Sequence, residues 1–407
     1  MQKTSTIPGL TALRLLAAVA VIIAHVEWLK AAFHLPGLWS NFNDIFTGPP
    51  INYILQEKIH WLSPFMSRLG LYAVVFFFVL SGFLITHVLI QETQAKGRFS
   101  ISSFYWRRII RLWPLYLMIV FLAFGLDAIN WPIFHYPNQA EWKTQRHLVE
   151  MCYFLFSPNL ALLLVPAAGM VGHLWSIGVE EHFYLFWPWL LRKIKSNKNR
   201  ILTFGACWIL AKIILKLLIT TYHVPLQSLA LYFIFNRFEC MALGGYLAFV
   251  FNDRLSDMRG WIFRQLHSLI YANILGLLLV TYCLPDAWSN HNYLLVATLS
   301  GLLIFKASKT NAAQRMNHPL VCKLGNASYA IYIVHFPILL WIFNSPLLYK
   351  NKTPNISENL LLYTASLFIP IILGIALHSW VEIPLKNYCL KNNKKREAQE
   401  LPFSNTA

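Results

Sequence analysis

Long apolar segments separated by short polar loops recur along the whole chain. A helix needs about 20 largely apolar residues to cross the hydrocarbon core of a bilayer. Ten segments of the 407-residue chain approach this requirement: 9–29, 69–90, 109–129, 173–192, 201–221, 229–251, 266–284, 291–307, 328–345 and 358–380. The pattern therefore predicts an all-α, polytopic membrane protein with about ten transmembrane helices.

An eleventh apolar segment, 148–168, decides the predicted topology. If it does not cross, most of the 34 Lys and Arg residues fall in loops on the side of the N-terminus, and basic loops are typical of the cytoplasmic side. Pro158 and Pro166 also interrupt a regular helix here. We therefore expect a re-entrant or interfacial segment on the outer face, both termini cytoplasmic, and a multi-pass protein of the cell inner membrane.

The composition supports a membrane protein and argues against other classes. Hydrophobic residues make up 57% of the chain and charged residues only 13%, whereas soluble domains carry roughly 25% charged residues. The net charge of +17 fits basic cytoplasmic loops, and we expect no nucleic-acid partner because no zinc-finger spacing or basic aromatic motif occurs. The six cysteines lack ligand spacing, so we expect no metal site. We interpret 1–390 as one integral-membrane domain and 391–407 as a short, basic, disordered cytoplasmic tail.

Arg14 and His25 stand out in the first predicted span, because ionisable side chains are costly in hydrocarbon. They are eleven residues apart, which corresponds to about 16 Å and close to three helical turns. Both side chains therefore point the same way. A snorkelling arginine and a hydrogen-bonded core histidine are the structural alternatives, but the alignment favours a shared polar path.

The fourth predicted span opens with a second polar group. On a continuous helix, His173, Glu180 and Tyr184 share one stripe with Ser176 beside it, and Glu181 is rotated by about 100°. Capping of the helix N-terminus is the structural alternative for the two glutamates, although both lie beyond the first turn. They would otherwise orient a histidine or pair with an arginine.

A cluster of Arg107, Arg108 and Arg111 lies at the start of the third predicted span. Positive-inside anchoring explains such a cluster. Guanidinium groups also match phosphate oxygens in a bidentate manner, so a cytoplasmic, phosphate-bearing ligand such as a nucleotide-like coenzyme would fit. Further polar residues within apolar segments are Ser81, Arg237, Tyr329, Tyr332 and His335.

Taken in chain order, these motifs resemble the acyltransferase-3 family of integral-membrane O-acyltransferases. The resemblance covers about residues 5–388 and rests on several motifs: Arg14-x10-His25, Ser81-Gly82-Phe83-Leu84-Ile85, Arg107 to Arg111, His173-x-Trp175-Ser176 followed by Glu180-Glu181-x-Phe183-Tyr184, Arg237, Tyr329 to His335, and Glu382-x-Pro384. The chain looks like the stand-alone form, without the soluble domain that many relatives carry.

The resemblance implies transfer of an acyl group, usually acetyl, from cytoplasmic acyl-CoA to a carbohydrate hydroxyl. Acetyl-CoA would be a co-substrate, and no tightly bound cofactor is implied. The acceptor would be a surface or periplasmic carbohydrate or glycolipid, such as lipopolysaccharide O-antigen or exopolysaccharide. The residues do not decide between acetyl and longer acyl donors, between direct and covalent transfer, or between a monomer and a homo-oligomer.

The motifs suggest roles for individual residues. We expect His25 to act as general base, oriented by Glu180 or Glu181, with Arg14 near the thioester carbonyl. The predicted donor-binding residues are Arg107, Arg108, Arg111, Ser81 and Tyr329. The other site candidates are His173, Trp175, Ser176, Tyr184, Arg237, Tyr332 and His335.

A secondary transporter or flippase for a lipid-linked sugar is the alternative from another functional class. The same polar path through apolar helices would serve it. Many transporters are built from internal repeats, and no repeat is evident in this sequence. The motifs therefore favour the enzyme.

Overall fold

A computed structural model shows how these segments fold. It describes residues 7, 9–33, 35, 63–129, 131, 145–164, 169–193, 198–222, 237–253, 257–283, 292–308, 316, 318–345 and 356–389. All regular secondary structure in this part of the chain is helical, which confirms the all-α prediction. The predicted tail 391–407 lies outside the described residues.

Thirteen α-helices are described, together with a 3-10 helix at Gly169–Leu174 and a π-helical turn at His378–Glu382. In chain order the α-helices are α1 Leu10–Ala32, α2 Ser63–Lys96, α3 Ile101–Ala128, α4 Arg146–Phe154, α5 Pro158–Leu164, α6 Trp175–Lys193, α7 Lys198–Tyr222, α8 Phe238–Asn252, α9 Asp257–Cys283, α10 Tyr293–Ala307, α11 Pro319–Asn326, α12 Ser328–Asn344 and α13 Ile356–Leu377.

Several of these helices have the length and apolar character of membrane spans. Among the described residues, α1, α2, α3, α9 and α13 each contain a stretch that is long and apolar enough to cross a bilayer. The consecutive helices α11 and α12, bent by 63°, make a sixth if the pair forms one broken span. The apolar helices α8 and α10 have 15 residues each. The chain is thus a membrane protein with five or six span candidates, and the count of ten stays a prediction.

The segment 148–168 contains two short helices rather than one long one. Helix α4 has nine residues and α5 has seven, and at 1.5 Å per residue neither reaches across a hydrocarbon core of about 30 Å. The neighbouring helices α3 and α6 are antiparallel, because Tyr105 bonds to Trp189 at 3.0 Å while Arg108 lies over Tyr184. Among the described residues, the segment between them contains no helix long enough to span a bilayer, and its re-entrant or interfacial placement stays a prediction.

Phe156, two residues after the end of α4, has an uncommon backbone conformation. Its φ is 56°, a left-handed value that bulky residues rarely adopt. The amide of Ser157 donates to the carbonyl of Cys152 at 2.8 Å, which is the pattern that commonly closes a helix with glycine at this position. The ring of Phe156 stacks on Trp113 at 4.2 Å and on Tyr116 at 4.7 Å. This aromatic packing against α3 stabilises the turn in place of a glycine.

Helices α2 and α8 share the most extensive helix interface of the described residues. Two glycines allow their backbones to meet: a Cβ on Gly82 would overlap the carbonyl of Met241, and a Cβ on Gly244 would overlap the carbonyl of Val79. Small residues permit such close approach in membrane helices. The crossing holds the neighbouring Ser81 at a fixed height in the bundle.

Replacement of Gly82 by alanine should destabilise the protein, because the added methyl group forces α2 and α8 apart. Overpacking of this kind typically costs about 1–3 kcal/mol. The measurement is the thermal midpoint of the detergent-solubilised protein. Gly125→Ala is the matched control, since a Cβ there meets nothing within 4 Å. Equal midpoints for the two variants would contradict the close crossing.

Candidate active site

Three histidines from distant parts of the chain meet in the bundle. His25 comes from α1, His173 from the 3-10 helix and His335 from α12. The ring centroids of His25 and His335 are 5.0 Å apart, and those of His173 and His335 are 4.9 Å apart. His335 is 0% exposed and His173 is 3% exposed, whereas His25 is half-buried. No group of three or more His, Cys, Asp or Glu side chains suited to a metal ion occurs in the described part of the chain.

The hydrogen bonds of His25 determine which nitrogen carries its proton. Nδ1 lies 3.1 Å from the carbonyl oxygen of Val21. It also lies 3.1 Å from Nε2 of His335. A carbonyl oxygen can only accept a hydrogen bond, so Nδ1 carries the hydrogen in neutral His25. Nε2 then holds the free lone pair of the ring.

A proline in α12 creates the docking site for His173. In a regular helix, the carbonyl of Ile333 would accept a bond from the amide of residue 337, but Pro337 has no N–H. Nε2 of His173 donates to this carbonyl at 3.1 Å. The hydroxyl of Tyr332 donates to the backbone carbonyl of His173 at 2.9 Å. Both bonds fasten the 3-10 helix to α12 beside His335.

A second polar cluster combines Arg108, Tyr184, Glu180 and Ser81. The guanidinium of Arg108 lies 5.1 Å from the ring centroid of Tyr184. The hydroxyl of Tyr184 donates to Glu180 and lies 3.2 Å from the hydroxyl of Ser81. Helices α2, α3 and α6 each contribute to this cluster.

Arg14 on α1 and Arg111 on α3 belong to the same group. The charge of Arg14 interacts with those of Arg108, Arg111 and Glu180. Arg14 and Arg108 are half-buried, and Arg111 is exposed. The structure thus brings together side chains that the sequence predicts in four separate spans. We call this group the arginine cluster.

Ser176 and Tyr332 lie between the histidines and the arginine cluster. Their hydroxyl groups are 2.7 Å apart. Ser176, Glu180 and Tyr184 follow one another at intervals of four residues on α6 and share one face of it. His173 is not on that face as an α-helical residue, because it lies in a 3-10 helix with a different turn angle.

The two glutamates are placed differently from the expectation that one of them orients His25. Within the described residues, the hydrogen bonds of His25 go to Val21 and His335. Glu180 bonds to Tyr184 in the arginine cluster, and Glu181 interacts with the charge of Arg108. The reason is the packing of α6: Glu180 lies about one helical turn beyond Ser176 and interacts with Arg108 on α3.

Three other predicted site residues make contacts of their own. Arg107 forms an ion pair with Glu92 at 3.0 Å and is 41% exposed, so it does not join the arginine cluster. The hydroxyl of Tyr329 donates to the carbonyl of Leu112 at 2.6 Å, next to Arg111. Trp175 packs edge-on against Phe78.

Arg237 belongs to a separate charged group. Its guanidinium lies 3.9 Å from the ring centroid of Tyr293. Glu239, which is 1% exposed at its side chain, pairs with Lys212 through both carboxylate oxygens at 2.7 and 2.9 Å. Each of the two buried charges at the start of α8 therefore has a partner on another helix. The sequence did not identify Lys212 as one of these partners.

Tyr332 and His335 are more central than their sequence motif indicated. The sequence feature that points to this region is Pro337, because a proline leaves the carbonyl of Ile333 without its helical donor. The sequence places a histidine two residues before this proline. It contains no signal that pairs His335 with His25 on a helix 310 residues away.

Comparisons with known proteins agree with this picture. The profile of a family described as an acyltransferase domain matches residues 7–378. The O-acetyltransferase OatA of Staphylococcus aureus strains NCTC 8325 and COL is 26% identical over 368 residues, which cover 84% of this chain. The same alignment covers 52% of OatA, so the chain spans about half the length of these curated relatives. No solved structure matches the chain.

The family profile covers nearly the whole described bundle. It includes α1 with Arg14 and His25, the arginine cluster, the 3-10 helix and α12 with Tyr332 and His335. The helices that supply both polar clusters are therefore the helices that the family shares. The chain belongs to the acyltransferase-3 family of membrane acyltransferases.

Proposed function

We propose that this protein is an O-acetyltransferase that moves an acetyl group from acetyl-CoA to a hydroxyl of a carbohydrate. The observation that carries the proposal is the arrangement of two polar clusters on α1. Arg14 lies in the arginine cluster, and His25 lies in the histidine cluster that it forms with His173 and His335. The two residues are about 16 Å apart along the helix. Ser176 and Tyr332 form a polar link between them. The names of the relatives, O-acetyltransferases, support this reaction class.

The arginine cluster suits the phosphates of coenzyme A. Three guanidinium groups, Arg14, Arg108 and Arg111, interact with two carboxylates, Glu180 and Glu181. The three guanidinium groups outnumber the two glutamates of the cluster, and Arg111 is exposed. An anionic ligand would balance these positive charges. Guanidinium groups bind phosphate oxygens strongly and in a bidentate manner.

The donor would enter from the cytoplasm. Arg14 lies near the start of α1 and Arg108 near the start of α3. Basic loops at these ends favour the cytoplasmic side of an inner membrane, where both chain termini would lie. The pantetheine arm would then extend past Ser176 and Tyr332 towards His25. The carbohydrate would approach His25 from the opposite face.

His25 would act as the general base. Its Nε2 lone pair is free because Nδ1 carries the hydrogen that Val21 accepts. Nε2 removes the proton from the acceptor hydroxyl while the oxygen attacks the thioester carbon. The tetrahedral intermediate collapses, the C–S bond breaks, and the thiolate of coenzyme A takes the proton back from the imidazolium. The products are the acetyl ester and free coenzyme A.

Replacement of His25 by glutamine should lower turnover of acetyl-CoA by about 10²–10⁴-fold, because the variant cannot take the proton. The measurement is release of the coenzyme A thiol by the purified protein, together with mass spectrometry of O-acetyl groups on surface carbohydrate in cells. His267→Gln is the matched control, since His267 is exposed on α9, a helix that contributes to neither cluster. Near-normal activity of His25→Gln would refute the base assignment.

Replacement of Arg108 by alanine should weaken binding of acetyl-CoA by about 10–100-fold, since it removes a charge-assisted hydrogen-bond donor. Arg107→Ala is the comparison on the adjacent residue. Its ion pair with Glu92 keeps that guanidinium out of the cluster, so we expect nearly unchanged affinity. Calorimetric titration of the two purified proteins decides between them. Equal losses of affinity in the two variants would mean that Arg107 contacts the phosphates as Arg108 does, which would contradict the proposed binding site.

A further inference from the structure

His335 connects the proposed base to the backbone of α12. Its Nδ1 lies 2.6 Å from the carbonyl oxygen of Tyr332, and its Nε2 lies 3.1 Å from Nδ1 of His25. The His335 side chain is 0% exposed. The residue therefore lies in a buried line of hydrogen bonds that runs from a backbone carbonyl to His25.

Two backbone carbonyls determine the hydrogen positions along this line. The carbonyl of Tyr332 can only accept, so Nδ1 of His335 carries the hydrogen. Nε2 of a neutral His335 is then an acceptor. The carbonyl of Val21 lies 3.1 Å from Nδ1 of His25 and shares its single hydrogen. The Nδ1–H of His25 thus also faces the acceptor Nε2 of His335.

We propose that His335 is a positioning residue for His25, which keeps Nε2 of His25 free for the acceptor hydroxyl and stabilises the imidazolium that forms when the proton arrives. The proposal rests on the proposed function, in which His25 is the base. The role is one that a carboxylate fills in many catalytic triads. Here a neutral imidazole fills it.

The surroundings of His25 leave this role to His335. Both glutamates of α6 interact with arginines instead. Phe336 packs against the ring of His25 with centroids 5.1 Å apart, and it offers no acceptor. His173 contacts His335 edge-on, and its hydrogen-bond donor is already taken by Ile333. Within the described residues, His335 is the one side chain that hydrogen-bonds to His25.

The bond should strengthen during the reaction. When His25 becomes an imidazolium, its Nδ1–H becomes a charged donor, and hydrogen bonds to charged groups are roughly twice as strong as neutral ones. Loss of the acceptor should therefore lower kcat more than it affects donor binding. We expect a decrease of about 10–100-fold in kcat and little change in KM for acetyl-CoA, because the arginine cluster is untouched.

Three variants of His335 test the proposal. His335→Gln keeps an acceptor oxygen at about the position of Nε2, His335→Asn holds its oxygen one carbon short, and His335→Leu removes the acceptor. We expect Gln to retain kcat within about threefold of wild type and both Asn and Leu to lose it. Because Asn and Gln are both polar amides, their difference does not depend on whether the Leu variant folds. Equal kcat for Asn and Gln would overturn the proposal.

A spectroscopic readout separates this proposal from the proposed function. ¹⁵N-histidine NMR of the detergent-solubilised protein, with the His25 signal assigned from His25→Gln, reports which ring nitrogen carries the hydrogen. We expect the Nδ1–H form of His25 in wild type and in His335→Gln, and a mixture with the Nε2–H form in His335→Leu. An Nε2–H form in wild type would overturn the role of His335. Absence of acetyl-CoA turnover in wild type with the expected spectra would instead refute the proposed function.

Discussion

The hydrogen bond between His25 and His335 reflects the constraint on which the whole structure depends. A polar group among apolar helices has no water to bind, so its partner must come from its own helix or from a neighbouring one. The same constraint joins Lys30 to Asn359 at 2.8 Å and Trp187 to Thr86 at 2.9 Å. Each such bond specifies which helices are neighbours and at what height they meet. Apolar packing alone would allow many more arrangements.

Proline has an unexpected part in building the site. Pro337 removes one backbone donor from α12, and the acceptor it frees is the carbonyl of Ile333 that binds His173. The 3-10 helix is held by this bond and by Tyr332. The turn before α6 thereby lies against α12, and the hydroxyl of Ser176 reaches that of Tyr332. The contact between Ser176 and Tyr332 therefore depends on the backbone N–H that α12 lacks at Pro337.

Much of the fold follows from local sequence, and so does part of the site. Each predicted span overlaps a described helix, with 229–236 outside the described residues, because a run of apolar residues can satisfy its backbone in lipid only as a helix. The alignment of Arg14 with His25 follows from the helical repeat alone. The separation of Arg107 from the cluster could not be predicted, because it depends on Glu92 at the end of another helix. The assignment of the glutamates to the arginines depends likewise on packing between α3 and α6.

The sequence by itself determined the helical class, the family motifs and the identity of the chemically capable residues. These depend on side-chain polarity and on spacing within a single helix, both of which are local. The tertiary structure decided which of those residues meet: His25 with His335, and Arg14 with Arg108 and Glu180. His25 and His335 are separated by 310 residues, and no periodicity within one segment specifies how two helices pack. The contact between Nδ1 of His25 and His335, on which the proposed role of His25 depends, is therefore a property of the folded bundle.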